Sequence, residues 1–379
     1  MYSKLESKPA EVDWFEGRRT GTLDGMKVKV APNWFTAAMG TGIVANAAML
    51  LPLDLPGLRA LALGAWVAAV LLLARLCALA LQQLRGGWSL PSVTLANAPF
   101  WGAPPMALMT VASGTLLVGR ELLGDELALA VAAALWTVGT VGGLVAAFAV
   151  PRWLLTHPER RLDQVYATWL LPVVPPLVSA TSGAALIARA PAGPLRTGLL
   201  LACCALFALS VTAVTATALL LARRLKAHGA GPARMVPTLF IALGPLGQSV
   251  TAACLLAAVA PEAVGARLAH GLDLLAIVFA IPVFALALIW LTVAATVTAR
   301  TAAGPGLPFA ATWWSFIFPL GTCVTASSEL ALRLGAEPLA WVAGALFAAL
   351  LAAWVTVSAA TARHVYSRRI AATPAPTPA

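Results

Sequence analysis

Charge is scarce in this chain. Only 11% of its 379 residues are Asp, Glu, Lys or Arg, while 60% are hydrophobic and the mean hydropathy is +0.86. A soluble domain carries about 25% charged residues, so a soluble globular fold is excluded and the composition is that of a polytopic membrane protein. Histidine is also rare: His157, His228, His270 and His364 are scattered, and none has a metal-ligand spacing with another His, Cys or carboxylate. The cysteines Cys77, Cys203, Cys204, Cys254 and Cys323 all lie inside apolar runs, where they read as small hydrophobes rather than a disulfide or metal framework. Gly244-Pro245-Leu246-Gly247 lacks the Gly-Lys-Ser/Thr of a phosphate loop. An intramembrane enzyme needs a nucleophile or metal with an activating base, and no such set is found. We therefore expect no enzyme, catalytic residue, metal or cofactor.

Long hydrophobic runs fill the chain instead. A membrane-crossing helix needs about 20 apolar residues, and ten stretches qualify, near 34–51, 57–83, 99–119, 126–150, 165–188, 195–223, 236–258, 268–299, 309–332 and 338–362. Short connections make sequence neighbours antiparallel hairpins. The expected fold is therefore all-α and integral to the membrane, with ten transmembrane helices as five hairpins. A polar tail (1–30) precedes the membrane domain (31–363), and a short, disordered tail (364–379) follows it. Residues 1–30 mix both charge signs without an apolar run, so no cleaved signal peptide is expected ahead of the first span.

The net charge of +10 is a topology signal rather than a nucleic-acid signature. Of 25 Lys and Arg residues, only Arg59, Arg120, Arg189, Arg196, Arg267 and Arg333 fall on the side of the odd-to-even connections. The rest lie on the side of both termini, so the positive-inside rule places both termini in the cytoplasm of a multi-pass plasma-membrane protein, its basic side facing anionic lipid. No nucleic-acid partner is expected.

The odd-numbered stretches differ from the even ones. Each carries Gly and Pro among small polar residues: Met39-Gly40-Thr41-Gly42-Ile43, Pro99 to Pro105, Pro172 to Pro176 followed by Ser179 to Gly183, Gly244 to Ser249, and Phe318-Pro319-Leu320-Gly321-Thr322. Backbone freed by helix breaks cannot face lipid. Five broken helices alternating with five smooth ones thus suggest an inner ring around a path and an outer ring facing lipid, the odd helices lining a central pore. Half-helix ends and free N–H groups hold an anion weakly enough for it to leave. The candidate anion path comprises Gly40, Thr41, Gly42, Pro104, Pro105, Pro176, Ser179, Gly244, Gly247, Gln248, Ser249, Pro319 and Thr322. The alternative for each small residue is close helix packing.

Phe318, beside Pro319, is a candidate hydrophobic gate, with a packed core residue as the alternative; Trp313 and Trp314 fit an interfacial belt. His270 and Asp273, three apart at the start of the eighth stretch, are candidates for proton coupling or else an interfacial pair reaching water. Glu329 and Arg333, at i and i+4, read as a helix-surface ion pair.

The segments Asn33 to Val44, Gly244 to Ser249 and Trp313 to Pro319 together resemble the tellurite-resistance/dicarboxylate transporter family. That family includes bacterial tellurite-resistance proteins, plant guard-cell slow anion channels, fungal malate permeases and sulfite efflux pumps. The resemblance implies a homotrimer of ten-helix protomers, each with a pore formed by the odd helices. It further implies that Phe318, matching the Phe of the family's Trp-Trp-x-x-x-Phe-Pro stretch, blocks that pore. Phe318-Pro319-Leu320-Gly321 looks closer to bacterial members than to the fungal sulfite pumps. The tails are short beside those of the plant channels, which argues against kinase gating. Expected partners are small inorganic anions or dicarboxylates and membrane lipid. A passive anion channel, a proton-coupled C4-dicarboxylate (malate) carrier and a sulfite exporter all fit; a non-transporting receptor or scaffold is the distant alternative.

Overall fold

The computed structural model describes residues 30–85, 93–304 and 306–372. Among them every regular element is helical. Ten helical segments follow in order: α1 (Phe35–Leu50), α2 (Leu58–Arg85), α3 (Ala98–Leu123), α4 (Asp125–Thr156), α5 (Pro175–Ile187), α6 (Pro194–His228), α7 (Ala233–Ala263), α8 (Ala266–Ala303), α9 (Ala311–Leu334) and α10 (Glu337–Ala372). Eight are long and apolar enough to cross a membrane; α1 and α5 are shorter, with 16 and 13 residues. The expected tail 1–30 lies outside the described residues except for Val30. At the other end α10 continues past residue 363 to Ala372, so the start of the expected tail is helical.

Tight turns make each odd helix pack on the even helix after it. Gly124 alone separates α3 from α4 with φ of 76°, and Gly335 ends α9 in the left-handed region with φ of 59°, conformations that glycine enters without a Cβ penalty. The odd helices also pack on one another in a closed cycle, α1 to α3 to α5 to α7 to α9 and back to α1. Five hairpins thus form an inner ring of odd helices enclosed by even ones.

Burial separates the two rings. Of the apolar windows in α3, α7 and α9, 61%, 78% and 78% is buried, against 28% or less in each even helix. An even helix buries one stripe and leaves its remaining apolar surface to lipid. In α8 that stripe is Ala269, Ala276, Ala280, Phe284, Ala287 and Ala294, whose three-, four- and seven-residue spacing keeps one face inward. Small residues let the backbones approach closely. On the opposite face Val278 is 72% exposed.

Polar bonds fasten the outer helices to the inner ones. Indole N–H groups donate inward from Trp66 of α2 to Thr115 (3.2 Å), from Trp136 of α4 to the Ser179 carbonyl (2.9 Å), from Trp290 of α8 to the Leu239 carbonyl (2.9 Å) and from Trp354 of α10 to Thr41 (3.2 Å). In α6, Ser210 serves instead, donating to the Val173 carbonyl ahead of α5 (2.6 Å). Tryptophan suits the position because its ring packs as a hydrophobe while its one donor finds a partner.

The odd segments are broken differently from the sequence expectation. Each α-helical part is entered through a 3₁₀ turn: Pro32–Trp34, Ala98–Gly102, Ala167–Leu170, Ala233–Ala242 and Ala311–Phe316. Prolines at 104, 105, 175, 176, 245 and 319 fall in the first α-turn, where a missing N–H costs least and the ring clashes with the carbonyl four residues back, which favours the tighter winding upstream. Met39 to Ile43, by contrast, is unbroken α-helix. The glycines there serve close approach. A Cβ on Gly42 would lie 2.9 Å from Thr110, one on Gly321 2.5 Å from Ile43, and one on Gly247 2.6 Å from the Thr322 backbone.

Candidate functional site: two chambers divided by Phe318

Two cavities lie in succession inside the inner ring. The smaller, about 30 Å³, sits among the N-terminal parts of the odd helices and is walled by Thr36, Met39, Phe100, Met106, Leu171, Val174, Ile241, Gly244, Pro245, Trp314, Ser315 and Pro319. The larger, about 180 Å³, lies further along the same helices. It is walled by apolar residues such as Ile43, Leu117 and Val259, together with Asn46, Thr110, Ser113, Thr181, Ser182, Gln248, Thr251 and Thr325. All five odd segments contribute to both walls. At about 10–15 Å³ per ordered water, the smaller chamber holds only two or three, while the larger has ample room for a solvated anion.

Phe318 lines both chambers, and among the described residues it alone does so. Its side chain is 4% exposed. The position follows from local structure: the 3₁₀ turn Ala311–Phe316 ends there, and Pro319 holds the first α-turn beside it. That turn is fixed by ring contacts, with Phe316 edge-on to Phe240 of α7 at 4.8 Å and to Trp313 at 6.2 Å, and Phe309 edge-on to Trp313 at 5.4 Å.

Among the described residues, no Lys, Arg, His, Asp or Glu lines either chamber. Bonds between inner helices shape the larger one: Asn46 donates to the Thr110 carbonyl (3.1 Å), and the Thr251 and Thr325 hydroxyls meet at 2.8 Å.

Of the path candidates read from sequence, Gly244 and Pro319 reach the smaller chamber and Gln248 the larger. The others line neither. Gly40 lies under Trp314, where a Cβ would come within 3.1 Å of the ring, while Gly42 and Gly247 sit at helix contacts. Thr41 accepts the Trp354 indole, Ser179 pairs with Thr140 at 2.6 Å, Ser249 donates to the Leu246 carbonyl (2.9 Å) and Thr322 to the Pro319 carbonyl (2.7 Å). Pro104, Pro105 and Pro176 are also off the walls; Pro105 instead packs toward Gly139 and Gly143 of α4. Thr181 and Ser182 on the larger chamber's wall fall within the Ser179 to Gly183 stretch noted in the sequence, whereas Asn46, Thr110, Ser113, Thr251 and Thr325 lie on the same inner helices outside the stretches singled out. A run of hydroxyl residues on an inner helix was the available signal.

Trp313 is half-buried, but Trp314 is a buried wall residue whose indole donates to Thr361 (3.1 Å), not a member of an interfacial belt, because Gly40 leaves room for its ring. Arg333 does not pair with Glu329. Its long side chain reaches Asp273 of α8 and donates to the Cys254 carbonyl of α7 (2.7 Å), joining three helices at one end of the ring. His270 is exposed, and neither it nor Asp273 lines a chamber.

Comparison with known proteins agrees with this arrangement. Residues 29–362 match the voltage-dependent anion channel (SLAC1) family. Similar curated proteins include the sulfite efflux pump of Arthroderma otae, 27% identical over 87% of this chain and 89% of its own length, and that of Trichophyton rubrum, with the same identity and coverage. An uncharacterized transporter of Methanocaldococcus jannaschii is 28% identical over 80% of this chain and 84% of its own length. The helical ring, its uncharged chambers and the match across nearly the whole chain make this protein a member of the voltage-dependent anion channel family, an anion transporter of the membrane.

Proposed function

We propose that small anions pass along the axis of the inner ring and that Phe318 is the gate. The observation that carries this reading is the partition: one aromatic ring stands between a small apolar chamber and a larger, hydroxyl-rich one. A hydrophobic constriction closes a pore by excluding water, so rotation of one ring suffices to join the two chambers. The absence of charge from the walls suits conduction, because a buried cation would hold an anion too long to release it.

This arrangement favours a channel over a proton-coupled carrier. A carrier uses a titratable group on its path, and the candidates His270 and Asp273 stand off both walls, Asp273 engaged by Arg333. Sulfite is the substrate suggested by the fungal relatives, whose name is sulfite efflux pump; dicarboxylates are larger and fit the chamber less well. The remaining features are ten membrane crossings in the plasma membrane, both termini cytoplasmic, and a homotrimer with one pore per protomer. The smaller chamber then faces the cytoplasm.

Recording from the purified protein in bilayers tests the gate. Currents reverse at the anion equilibrium potential, and Phe318→Ala raises them about tenfold, equivalent to about 1.4 kcal/mol off the barrier. An intact assembly with unchanged current removes Phe318 from the role. For topology, single cysteines in the Arg160 and Lys226 loops label from the cytoplasmic side and those in the Arg59 and Arg196 loops from outside; reversed labelling inverts the assignment.

A further inference from the structure

The larger chamber presents lone pairs where a plain anion needs protons. Thr110 donates its O–H to the Met106 carbonyl (2.7 Å), Thr181 to the Leu177 carbonyl (3.0 Å) and Ser182 to the Val178 carbonyl (2.7 Å). Thr251 and Thr325 commit both their protons to each other and to the carbonyls of Gly247 or Thr322. With their protons committed, the hydroxyls of these wall residues have only acceptor lone pairs left to offer a solute. Gln248 is different. Its side chain is 95% buried by position, at 5% exposure, lies on the chamber wall and has no hydrogen-bond partner among the described residues. Its amide opens onto the chamber rather than into packed protein, so its two N–H donors are available to a solute. Ser113 is a wall hydroxyl with no hydrogen-bond partner among the described residues.

Resting on the anion-pore reading above, we infer that the larger chamber is a binding station for a monovalent oxyanion that still carries a proton, with Gln248 as its specificity-determining donor. The Gln248 amide donates to an oxyanion oxygen, and the solute's own O–H is accepted by a wall hydroxyl such as Thr181. The sulfite dianion has no proton to give and meets several lone pairs with no counter-charge. A halide or nitrate takes the Gln248 donors but leaves the acceptors unused. The expected order is hydrogen-bearing oxyanion above nitrate or chloride, and dianion last.

The test is radiolabelled sulfite and nitrate influx into liposomes holding the full chain, in a Phe318→Ala background so that gating does not limit flux, with the rate of protein-free liposomes subtracted. At fixed total sulfite, the rate follows the hydrogensulfite fraction as pH is varied, and nitrate flux stays level. Gln248→Leu lowers hydrogensulfite flux about tenfold, the loss of one hydrogen bond to a charged group, with a smaller effect on nitrate. Thr181→Val, similar in shape, lowers hydrogensulfite flux and leaves nitrate unchanged. Because two positions on different helices are changed, misfolding of one variant leaves the other decisive. Flux that rises with the dianion fraction, or equal loss of both anions in the variants, overturns the station while the pore stands. No flux of either anion through wild type or Phe318→Ala overturns the pore, and the station with it.

Discussion

The inner and outer rings are made of the same apolar residues and solve different problems. An outer helix has one neighbour-facing stripe and a large lipid-facing surface, so it can be long and regular, as α8 is over 38 residues. An inner helix is surrounded: α1 buries 14 of its 16 residues, and its side chains must be small enough for neighbours to approach and polar enough to wet a chamber. The difference teaches that, in lipid, hydrophobicity cannot tell inside from outside. Residue size and the location of hydrogen bonds do so instead, and each of the following experiments opposes an inner position to an outer one.

The largest contrast in stability is between glycines. A Cβ on Gly102, at the 3₁₀ entrance of α3, would stand 2.1 Å from the Leu171 carbonyl oxygen, a contact with backbone that no rotamer relieves. Gly102→Ala is expected to destabilise the fold by about 3 kcal/mol, the upper end of typical overpacking costs. Gly64 on α2 has nothing within 4 Å of the same position, so Gly64→Ala is neutral or slightly stabilising, through helix propensity. Thermal unfolding of both in one detergent checks the pair. Equal melting temperatures would mean that the inner ring is more compliant than its contacts indicate.

Aromatics give the next contrast, in flux rather than stability. Phe318→Ala joins two chambers and raises current as proposed above, whereas Phe148 on α4 is 61% exposed toward lipid and Phe148→Ala leaves current unchanged. A comparable rise in both variants would show that loosened packing, not an opened partition, is what increases conduction.

Much of this was legible in the sequence, and what was not has a common cause. Ten apolar runs, their hairpin pairing and the contrast between odd and even runs follow from spacing along the chain. Phe318 drew notice as an aromatic beside proline, but its reading as a gate came from the family resemblance rather than from the residues alone. The roles of Gly40, Gly42 and Gly247 were not, since glycine suits both a helix break and a close contact, and the deciding fact is the distance to a neighbour distant in sequence, such as Trp314, Thr110 or Thr322. Arg333 was assigned to Glu329 by i, i+4 spacing, but a flexible guanidinium reaches carboxylate and carbonyl on two other helices. Most of the chamber walls beyond Gly244, Gln248, Phe318 and Pro319 escaped notice because an inner helix is packed on every side, so periodicity does not mark which face meets the axis.

A smaller effect is expected where the rings are fastened. Trp290→Phe keeps most of the ring packing and removes the donor to the Leu239 carbonyl, costing about 0.5–1.5 kcal/mol, the net value of one hydrogen bond, and leaving flux unaltered. A shift in reversal potential would instead mean that the outer helices set the shape of the path.

A similarly small effect is expected from Thr41→Val, which tests where the chamber wall ends. Thr41 sits on α1 between Met39, a wall of the smaller chamber, and Ile43, a wall of the larger, yet its hydroxyl turns outward to accept the Trp354 indole at 3.2 Å. Valine has the same shape and no acceptor, so the indole loses its partner at a cost of about 1 kcal/mol, eased if the N–H finds another acceptor. Conductance and anion selectivity then match wild type, because nothing facing the axis has changed. Were the hydroxyl instead part of the path, its removal would lower anion current without changing the melting temperature. Current and melting curve measured on the same preparation therefore place Thr41 on one ring contact or the other.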